Sequence, residues 1–219
     1  MQRFGNRLDT GVFDGDLSVA IQGLQRIGVL AQVRHRELPG GAISLTERER
    51  AQSEKFAVLP KGAEQRLAED HERSQRIVDE IAAMPSDWPV LVFATSVAHA
   101  KLLAAKLGDR GIKAAAIDSS TPPNERRKRI DDFRKGRVQV LTNYGVLTQG
   151  FDAPATRVVV VARPTYSPNV YQQMIGRGLR GPKNGGKETC LILNVRDNIT
   201  NFGEELAFTE FEYLWGENR

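Results

Sequence analysis

Residues 89–118 read PVLVFATSVAHAKLLAAKLGDRGIKAAAID, and this stretch decides the fold of the chain. It opens with a short apolar run that is typical of a buried strand, and residues 97–107 then repeat apolar side chains at helical spacing. After a glycine, residues 112–117 form a second apolar run. Strand, helix and strand in this order predict a βαβ unit, in which the two strands run parallel.

The same alternation continues toward the C-terminus. Apolar runs predict further strands at 138–142, 158–162 and 189–194, and helices are predicted at 122–135 and from Ser167 onward. Parallel strands that are buried on both faces are nearly continuous in Val, Ile and Leu, so the pattern predicts a doubly wound, mostly parallel α/β sheet. In such sheets the ligand site lies beyond the carboxyl ends of the strands.

The first 85 residues are richer in helix signals. Asp16 is suited to cap a first helix, and residues 29–38 mix β-branched and charged residues in a pattern that predicts a strand. The glycines and proline at 39–41 predict a turn, and the sequence at 46–49 matches a capping box at the start of a charged helix. A further helix is predicted from 62 to 84.

Composition and charge narrow the class of protein. The chain has 219 residues, of which 40% are hydrophobic and 26% charged, as in an ordinary globular protein. Its net charge of +4 permits a nucleic-acid partner. The single cysteine, Cys190, excludes an internal disulfide and lies in an apolar run that predicts burial.

The sequence gives no sign of a membrane or metal partner. No apolar stretch approaches the ~20 residues that span a bilayer, and the N-terminus lacks the apolar core of a signal peptide, so we expect a cytoplasmic protein. No cluster of Cys and His residues has the spacing of a zinc site, so no metal ligands are predicted.

A run near the C-terminus, residues 171–180, reads YQQMIGRGLR and carries two arginines. On a helix of 3.6 residues per turn, Gln173, Arg177 and Arg180 would share one face. Two planar, permanently charged guanidiniums beside small glycines suit a polyphosphate ligand. Taken alone, the run has the alternative interpretation of a solvated helix face.

A second run lies upstream, where residues 138–154 read VQVLTNYGVLTQGFDAP, an apolar strand that ends in a Gly-x-Asp-x-Pro turn. In this order and spacing, the two runs resemble motifs V and VI of superfamily 2 helicases. Residues 173–180 meet the QxxGRxxR form of motif VI in full. The stretch 150–174 looks most like the helicases of type III restriction systems and RadD-like proteins, and the resemblance covers roughly residues 87–198.

The resemblance implies the second of two RecA-like domains of a helicase motor, here residues 86–200. Residues 1–85 would then be an N-terminal extension or an inter-domain insertion, and residues 201–219 a C-terminal helical tail. A motor of this class hydrolyses ATP with Mg²⁺ in the cleft between its domains, and the first domain supplies the Mg²⁺ ligands. The expected partners are the first RecA-like domain of the same protein and a nucleic acid, with DNA favoured over RNA.

By the same resemblance, Arg177 and Arg180 are arginine fingers that reach the γ-phosphate. Gln173 helps to position them or the attacking water. Gly150 and Asp152 match the motif V turn, whose carboxylate accepts hydrogen bonds from the ribose of ATP. For Asp152 the alternative is a plain turn before the next strand.

The resemblance also implies contacts with the backbone of a nucleic acid. Thr142 matches the motif V threonine, and Thr95 and Ser96 match the hydroxyl-bearing turn of motif IV. Ser120 and Arg126 match the segment after the next strand. Such contacts position a nucleic-acid strand without reading its bases. The alternatives are helix capping by Thr95 and Ser96, and a solvated helix face for the basic run that begins at Arg126.

The sequence lacks the other half of a motor. It contains neither the phosphate loop GxxxxGK[ST] nor a DExx box at a strand end, so we expect no ATPase activity from the isolated chain. Two rival hypotheses remain open. One is a non-catalytic, nucleic-acid-binding RecA-like module, and the other is an unrelated doubly wound enzyme that binds a nucleotide at the strand ends.

Overall fold

The computed structural model describes residues 17–56, 59–146, 153–165 and 167–200. The strands in these ranges are β1 Gln32–Ser44, β2 Val90–Phe93, β3 Ala114–Ile117, β4 Val140–Asn143, β5 Val158–Val161 and β6 Thr189–Thr200. The helices are α1 Leu17–Arg26, α2 Glu47–Phe56, α3 Lys61–Glu69, α4 His71–Ala82, α5 Val97–Asp109, α6 Pro123–Arg134 and α7 Pro168–Ile175. A short 3₁₀ helix occupies Pro182–Asn184.

The described strands form one parallel sheet with the order β1-β6-β5-β2-β4-β3, and helices cover both of its faces. On one face, Ile77 of α4 and Leu103 of α5 pack in a buried cluster with Val92 of β2. On the other, Phe133 of α6 and Tyr171 of α7 pack in a second cluster. Burial on both faces explains the nearly continuous valine runs, and the predicted doubly wound α/β sheet is confirmed.

The first strand departs from the prediction at residues 39–41. β1 does not turn there but continues, and its pairing with β6 shifts register at this point. A Cβ atom on Gly40 would collide with the Asp197 carboxylate, and one on Gly41 would lie 2.6 Å from Oδ2 of Asp70. The glycines therefore serve the close approach of β1 to its neighbours, and they produce a bulge in the strand instead of a turn.

The predicted helix at 62–84 is two helices, because Asp70 interrupts it. Asp70 has extended backbone angles, φ −69° and ψ 103°, and its carboxylate accepts the N–H of Arg73 at 2.9 Å as the N-cap of α4. The predicted capping box at 46–49 is present at the start of α2, where Thr46 and Glu49 exchange hydrogen bonds.

The described part of residues 1–85 contributes to the same sheet as the rest of the chain. β1 lies beside β6, and α4 belongs to the buried cluster beneath β2. Because β1 extends to Ser44, β6 also runs beyond its predicted end at 194. The described part of the predicted extension is thus an integral edge of the α/β domain. The predicted tail, 201–219, lies outside the described residues.

A fully buried ion pair joins α4 to β6. The side chains of Arg73 and Asp197 have no solvent exposure, and Nε and Nη2 of Arg73 lie 2.6 and 2.8 Å from the two carboxylate oxygens. The same guanidinium donates to the carbonyl of Ala162 and lies 3.4 Å from the hydroxyl of Thr95. The N–H of Gly41 donates to Asp197 at 2.8 Å. One ion pair thus connects β1, β2, β5 and β6 near their carboxyl ends.

We expect Asp197→Asn to destabilise the domain strongly. Arginine does not lose its proton in proteins, so neutralising Asp197 leaves a buried and uncompensated positive charge on Arg73. The free energy of unfolding should fall by about 3–5 kcal/mol in urea denaturation. Glu37→Gln, which breaks an exposed pair between Glu37 of β1 and Arg196 of β6, should change this free energy by less than about 1 kcal/mol. Equal effects of the two substitutions would contradict this account.

Candidate functional site

The two arginines of the QxxGRxxR run lie on a turn that follows a helix. α7 ends at Ile175, so Gln173 is helical and exposed, whereas Arg177 and Arg180 lie beyond the helix. The N–H groups of Arg177 and Gly178 bond to carbonyls three residues back, at 3.3 and 2.9 Å, which tightens the chain into a turn. The prediction that the three polar residues share one helical face is therefore wrong.

The turn after the helix packs closely against the sheet. A Cβ atom on Gly178 would collide with Sγ of Cys190 on β6 and would lie 2.8 Å from Cγ2 of Val159 on β5. Glycine therefore allows the backbone of the turn to lie directly on the sheet. Cys190 is buried as predicted, and burial raises the pKa of its thiol to about 12, which keeps it protonated and unreactive.

The arginine turn, residues 176–180, is also held at its far end. Leu30 forms an antiparallel bridge with Arg180, and the N–H of Lys187 donates to the Arg180 carbonyl at 3.2 Å. Arg177 and Arg180 are both partly exposed. The turn therefore carries two partly exposed arginines on a backbone that is fixed from two sides, and guanidinium groups are suited to binding an anion with several oxygens.

Gly150 and Asp152, the predicted ribose contacts, lie outside the described residues. Their roles stay predictions. The segment that contains them follows directly on Val146, shortly after the end of β4.

Two of the predicted nucleic-acid contacts face the protein interior. Thr142 is fully buried, and its hydroxyl donates to a carbonyl of α5 at 2.7 Å. Thr95 is fully buried as well, and its hydroxyl donates to the carbonyl of Ala162 at 3.1 Å. Ser96 caps α5, because its hydroxyl accepts the N–H of His99 at 3.1 Å. Phosphate contacts by Thr95 and Thr142 stay predictions, and they would require both hydroxyls to exchange these partners.

Ser120 and Arg126 come together around Asp118, at the end of β3. The nearly buried Asp118 carboxylate accepts hydrogen bonds from the N–H of Ser120, at 2.7 Å, and from its hydroxyl. Arg126 donates to the Asp118 carbonyl at 3.1 Å. Lys101 of α5, which the sequence patterns did not single out, lies 3.4 Å from the same carboxylate. The Ser120 hydroxyl and Lys101 hold the pKa of Asp118 below its usual range, so the carboxylate stays charged and orders this loop.

A second polar cluster lies beyond the ends of β4 and β5. Glu64 of α3 is nearly buried, and it accepts hydrogen bonds from Arg163 at 3.0 Å and from the hydroxyl of Tyr144 at 3.2 Å. The Arg163 guanidinium lies over the Tyr144 ring, 5.1 Å from its centroid. The sequence patterns did not predict this cluster, which docks α3 against the strand ends.

The described residues contain neither a cluster suited to a metal ion nor a helix suited to a membrane. No group of three or more His, Cys, Asp or Glu residues there is arranged to hold a metal ion. No helix there has both the length and the apolar character that crossing a bilayer demands.

A comparison with protein families decides the assignment. The model of the helicase conserved C-terminal domain matches residues 72–181, which is half of the chain. The chain belongs to this family. The match begins in α4 and ends directly after the arginine turn, so it includes β2 to β5 and the arginines themselves. The resemblance to the C-terminal domain of superfamily 2 helicases is confirmed.

Two curated relatives are similar to this chain in sequence. A 51.5 kDa protein of a Lactococcus phage (isolate 7-9) is 33% identical over 126 residues, 58% of this chain and 26% of the relative. The candidate ATP-dependent helicase IRC3 of Saccharomyces cerevisiae is 36% identical over 104 residues, 48% of this chain and 15% of the relative. The chain thus spans about a quarter or less of the length of these relatives.

The fold of the helicase C-terminal domain agrees with a solved structure. The C-terminal domain of the DEAD-box protein Dbp5 matches with a TM-score of 0.53 and 20% identity, over 86% of this chain and 84% of that domain. The predicted RecA-like fold is confirmed. A match of this extent has to include part of residues 1–85, in agreement with the place of β1 in the sheet.

We expect the domain to lose stability in mild acid, because the buried His99 and the half-buried His35 remain neutral in the folded protein. Burial, with Arg73 nearby, lowers the pKa of His99 from 6.5 to about 3, and burial lowers that of His35 to about 4. Between these values and 6.5 the unfolded chain binds more protons than the folded protein. The free energy of unfolding therefore falls as the pH drops through this window, by up to about 1.4 kcal/mol per pH unit for each histidine.

Urea denaturation over a series of pH values measures this slope. His99→Gln should reduce it, whereas His71→Gln, at an exposed position at the start of α4, should leave it unchanged. An unaltered slope in the His99 variant would show that the acid sensitivity has another source.

Proposed function

We propose that the chain is the C-terminal motor domain of an ATP-dependent superfamily 2 helicase or translocase. In this role it supplies two arginines to the ATP site and part of the track for the nucleic acid. The arginine turn is the observation that carries the proposal. It presents Arg177 and Arg180, both partly exposed, on a backbone held against β5 and β6 and against Leu30.

The residues present fit a triphosphate ligand. Arg177 and Arg180 bring two planar forks of donors, which match phosphate oxygens better than the point charge of a lysine does. Bound ATP supplies the phosphoryl group, and Mg²⁺ neutralises part of its charge. The rigid turn keeps both guanidiniums in place before charge builds up on the transferred oxygens, so little reorganisation accompanies the reaction.

In this proposal the remaining parts of the ATP site come partly from other residues of this chain and partly from a second domain. Gln173 positions the arginines or the attacking water, and Gly150 with Asp152 holds the ribose. A first RecA-like domain supplies the phosphate loop and the Mg²⁺ ligands, because this chain has neither the GxxxxGK[ST] pattern nor an acidic box. Alone, the 219-residue chain is therefore expected to be inactive as an ATPase.

The nucleic-acid track is proposed at the carboxyl ends of β2 and β3. Ser120, Arg126 and Lys101 gather there around the charged Asp118, and Lys101 is well exposed. Hydroxyl groups and cations of this kind bind the phosphate backbone and carry no base specificity. The preference for DNA over RNA rests on the resemblance to restriction helicases.

Arg180→Ala in the complete helicase should reduce nucleic-acid-stimulated ATP turnover by roughly 10³–10⁵-fold without unfolding the domain. Arg177→Ala should have a similar effect. Arg180→Lys should also fail, since an ammonium group cannot reproduce the two parallel hydrogen bonds of a guanidinium. Steady-state ATPase assays give the rates, and circular dichroism checks the fold.

Arg110→Ala is the matched control for these substitutions. Arg110 is an exposed arginine at the end of α5 that pairs with Asp79 of α4, and its loss should leave turnover unchanged. Normal kcat in both Arg177→Ala and Arg180→Ala would show that the arginine turn has no role in ATP hydrolysis. ATP turnover by the purified 219-residue chain would contradict the division of the site between two domains.

The isolated chain should bind single-stranded DNA weakly, with little sequence preference and with an affinity that falls as salt rises. Lys101→Ala and Arg126→Ala should weaken binding about equally for unrelated sequences and should reduce the salt slope by about 1. Fluorescence anisotropy with labelled oligonucleotides measures these effects. Lys106→Ala is the control for Lys101→Ala, because Lys106 also lies on α5 but donates to Gln75 of α4.

Binding that ignores salt, or a strong preference among unrelated sequences, would contradict a backbone track at this edge. An RNA oligonucleotide of the same sequence tests the preference for DNA. Equal or tighter binding of the RNA would show that preference to be wrong while leaving the track itself in place.

A further inference from the structure

Residues 28–31, here called the brace, pair antiparallel with residues 179–183 at the end of the arginine turn. Each segment donates a backbone N–H to the other at 3.0 Å, from Ala31 to Leu179 and from Gly181 to Val29. A further bond of 2.9 Å runs from the N–H of Lys183 to the carbonyl of Gly28. The first two bonds form the antiparallel bridge between Leu30 and Arg180, and the three bonds together fix the backbone on both sides of Arg180.

The brace is in turn anchored to the rest of the fold. Gln25 of α1 donates its side-chain amide to the carbonyl of Ala31 at 3.0 Å. Gly28 has a φ of 76°, the left-handed conformation that ends α1 and directs the chain into the brace. The side chain of Asn184 donates to the carbonyl of Val29 at 3.0 Å. The arginine turn is thereby tied to α1 and, through the start of β1, to the edge of the sheet.

Gly181 is the point of closest approach between the brace and the arginine turn. A Cβ atom on Gly181 would collide with the carbonyl oxygen of Gly28 and would lie 2.8 Å from the carbonyl carbon of Leu30. The backbone of Gly181 has φ −82° and ψ 175°, angles that any residue adopts. Glycine is therefore required at this position by the contact and not by the backbone conformation.

We propose that the brace is a positioning element for Arg180, and this inference rests on the proposed function. A guanidinium accelerates phosphoryl transfer only when it is correctly placed in the transition state, and a misplacement of about 1 Å can cost about 10²-fold in rate. Residues 28–31 hold the backbone on both sides of Arg180 through three main-chain hydrogen bonds. They thus contribute to turnover without touching the nucleotide.

Gly181→Ala in the complete helicase tests the proposal, because it separates the two segments and leaves every arginine in the sequence. We expect kcat for ATP hydrolysis to fall at least about tenfold, with KM for ATP and the affinity for DNA nearly unchanged. Gly108→Ala is the matched control. A Cβ atom at Gly108, on α5, meets no atom within 4 Å, so this variant should keep full kcat.

A purely structural role would not give this pattern. Partial unfolding lowers the amount of active protein and, with it, DNA binding in the same proportion, whereas misplacement of Arg180 lowers kcat alone. Should Gly181→Ala fail to fold, Gln25→Met removes only the side-chain bond from α1 to the brace. Its kcat should fall about two- to tenfold, the effect of one hydrogen bond.

Arg180→Ala, measured in parallel, distinguishes failure of the proposed function from failure of the positioning role of the brace. Suppose that Arg180→Ala loses turnover while Gly181→Ala and Gln25→Met both keep the wild-type kcat. This result would contradict the positioning role of the brace and leave the proposed function intact. A raised KM for ATP or weaker DNA binding in Gly181→Ala, without a lower kcat, would also contradict the positioning role of the brace. Normal turnover in Arg180→Ala would overturn the proposed function, and the brace with it.

Discussion

The Arg73–Asp197 ion pair is the interaction on which the carboxyl edge of the sheet depends. Both charges are removed from water, so each must be neutralised and hydrogen-bonded within the fold. The planar guanidinium meets this demand by reaching Asp197, the carbonyl of Ala162 and the hydroxyl of Thr95 at once. Since each partner follows or belongs to a different strand, the strand ends cannot shift independently. A site at this edge of the sheet is therefore held by strand ends that are fixed relative to one another.

The two parts of the candidate site are held by different physical means. The arginine turn depends on main-chain contacts, with glycine at the positions where the backbone meets the sheet and the segment before β1. The loop after β3 depends on side-chain contacts to a single carboxylate, Asp118. The arginine turn is thus fixed through its backbone, whereas the side chains around Asp118 both order their loop and form its surface.

Local patterns in the sequence predicted the central strands well, for a clear physical reason. β2, β4 and β5 are buried on both faces, so their apolar runs are continuous and distinct from the amphipathic helices between them. The family motifs, together with these strands, predicted the RecA-like fold. Lys101 could have been found as well, because helical spacing places it one turn after the start of α5, close to the strand ends.

Contacts between distant parts of the chain account for what the sequence did not predict. The glycines at 39–41 have the composition of a turn, but Asp197, 156 residues beyond Gly41, holds them within a strand. The helix of motif VI ends at Ile175, and in the turn that follows, Gly178 packs on Cys190 and Val159. Hydroxyls at strand ends suggested an exposed surface, yet Thr142 faces α5. Local periodicity contains no information on any of these partners.

The bulge in β1 also affects how the protein behaves at high concentration. β1 is the outermost strand on its side of the described sheet, and a long edge strand can pair with the same strand of another molecule and start aggregation. Here Pro39 lacks an N–H group, and the register shift beside it breaks the regular spacing of backbone donors in the middle of the strand. The exposed charges of Arg34, Arg36 and Glu37 add to the obstacle. A second molecule can therefore pair with only part of this edge, which favours solubility over the growth of an extended intermolecular sheet.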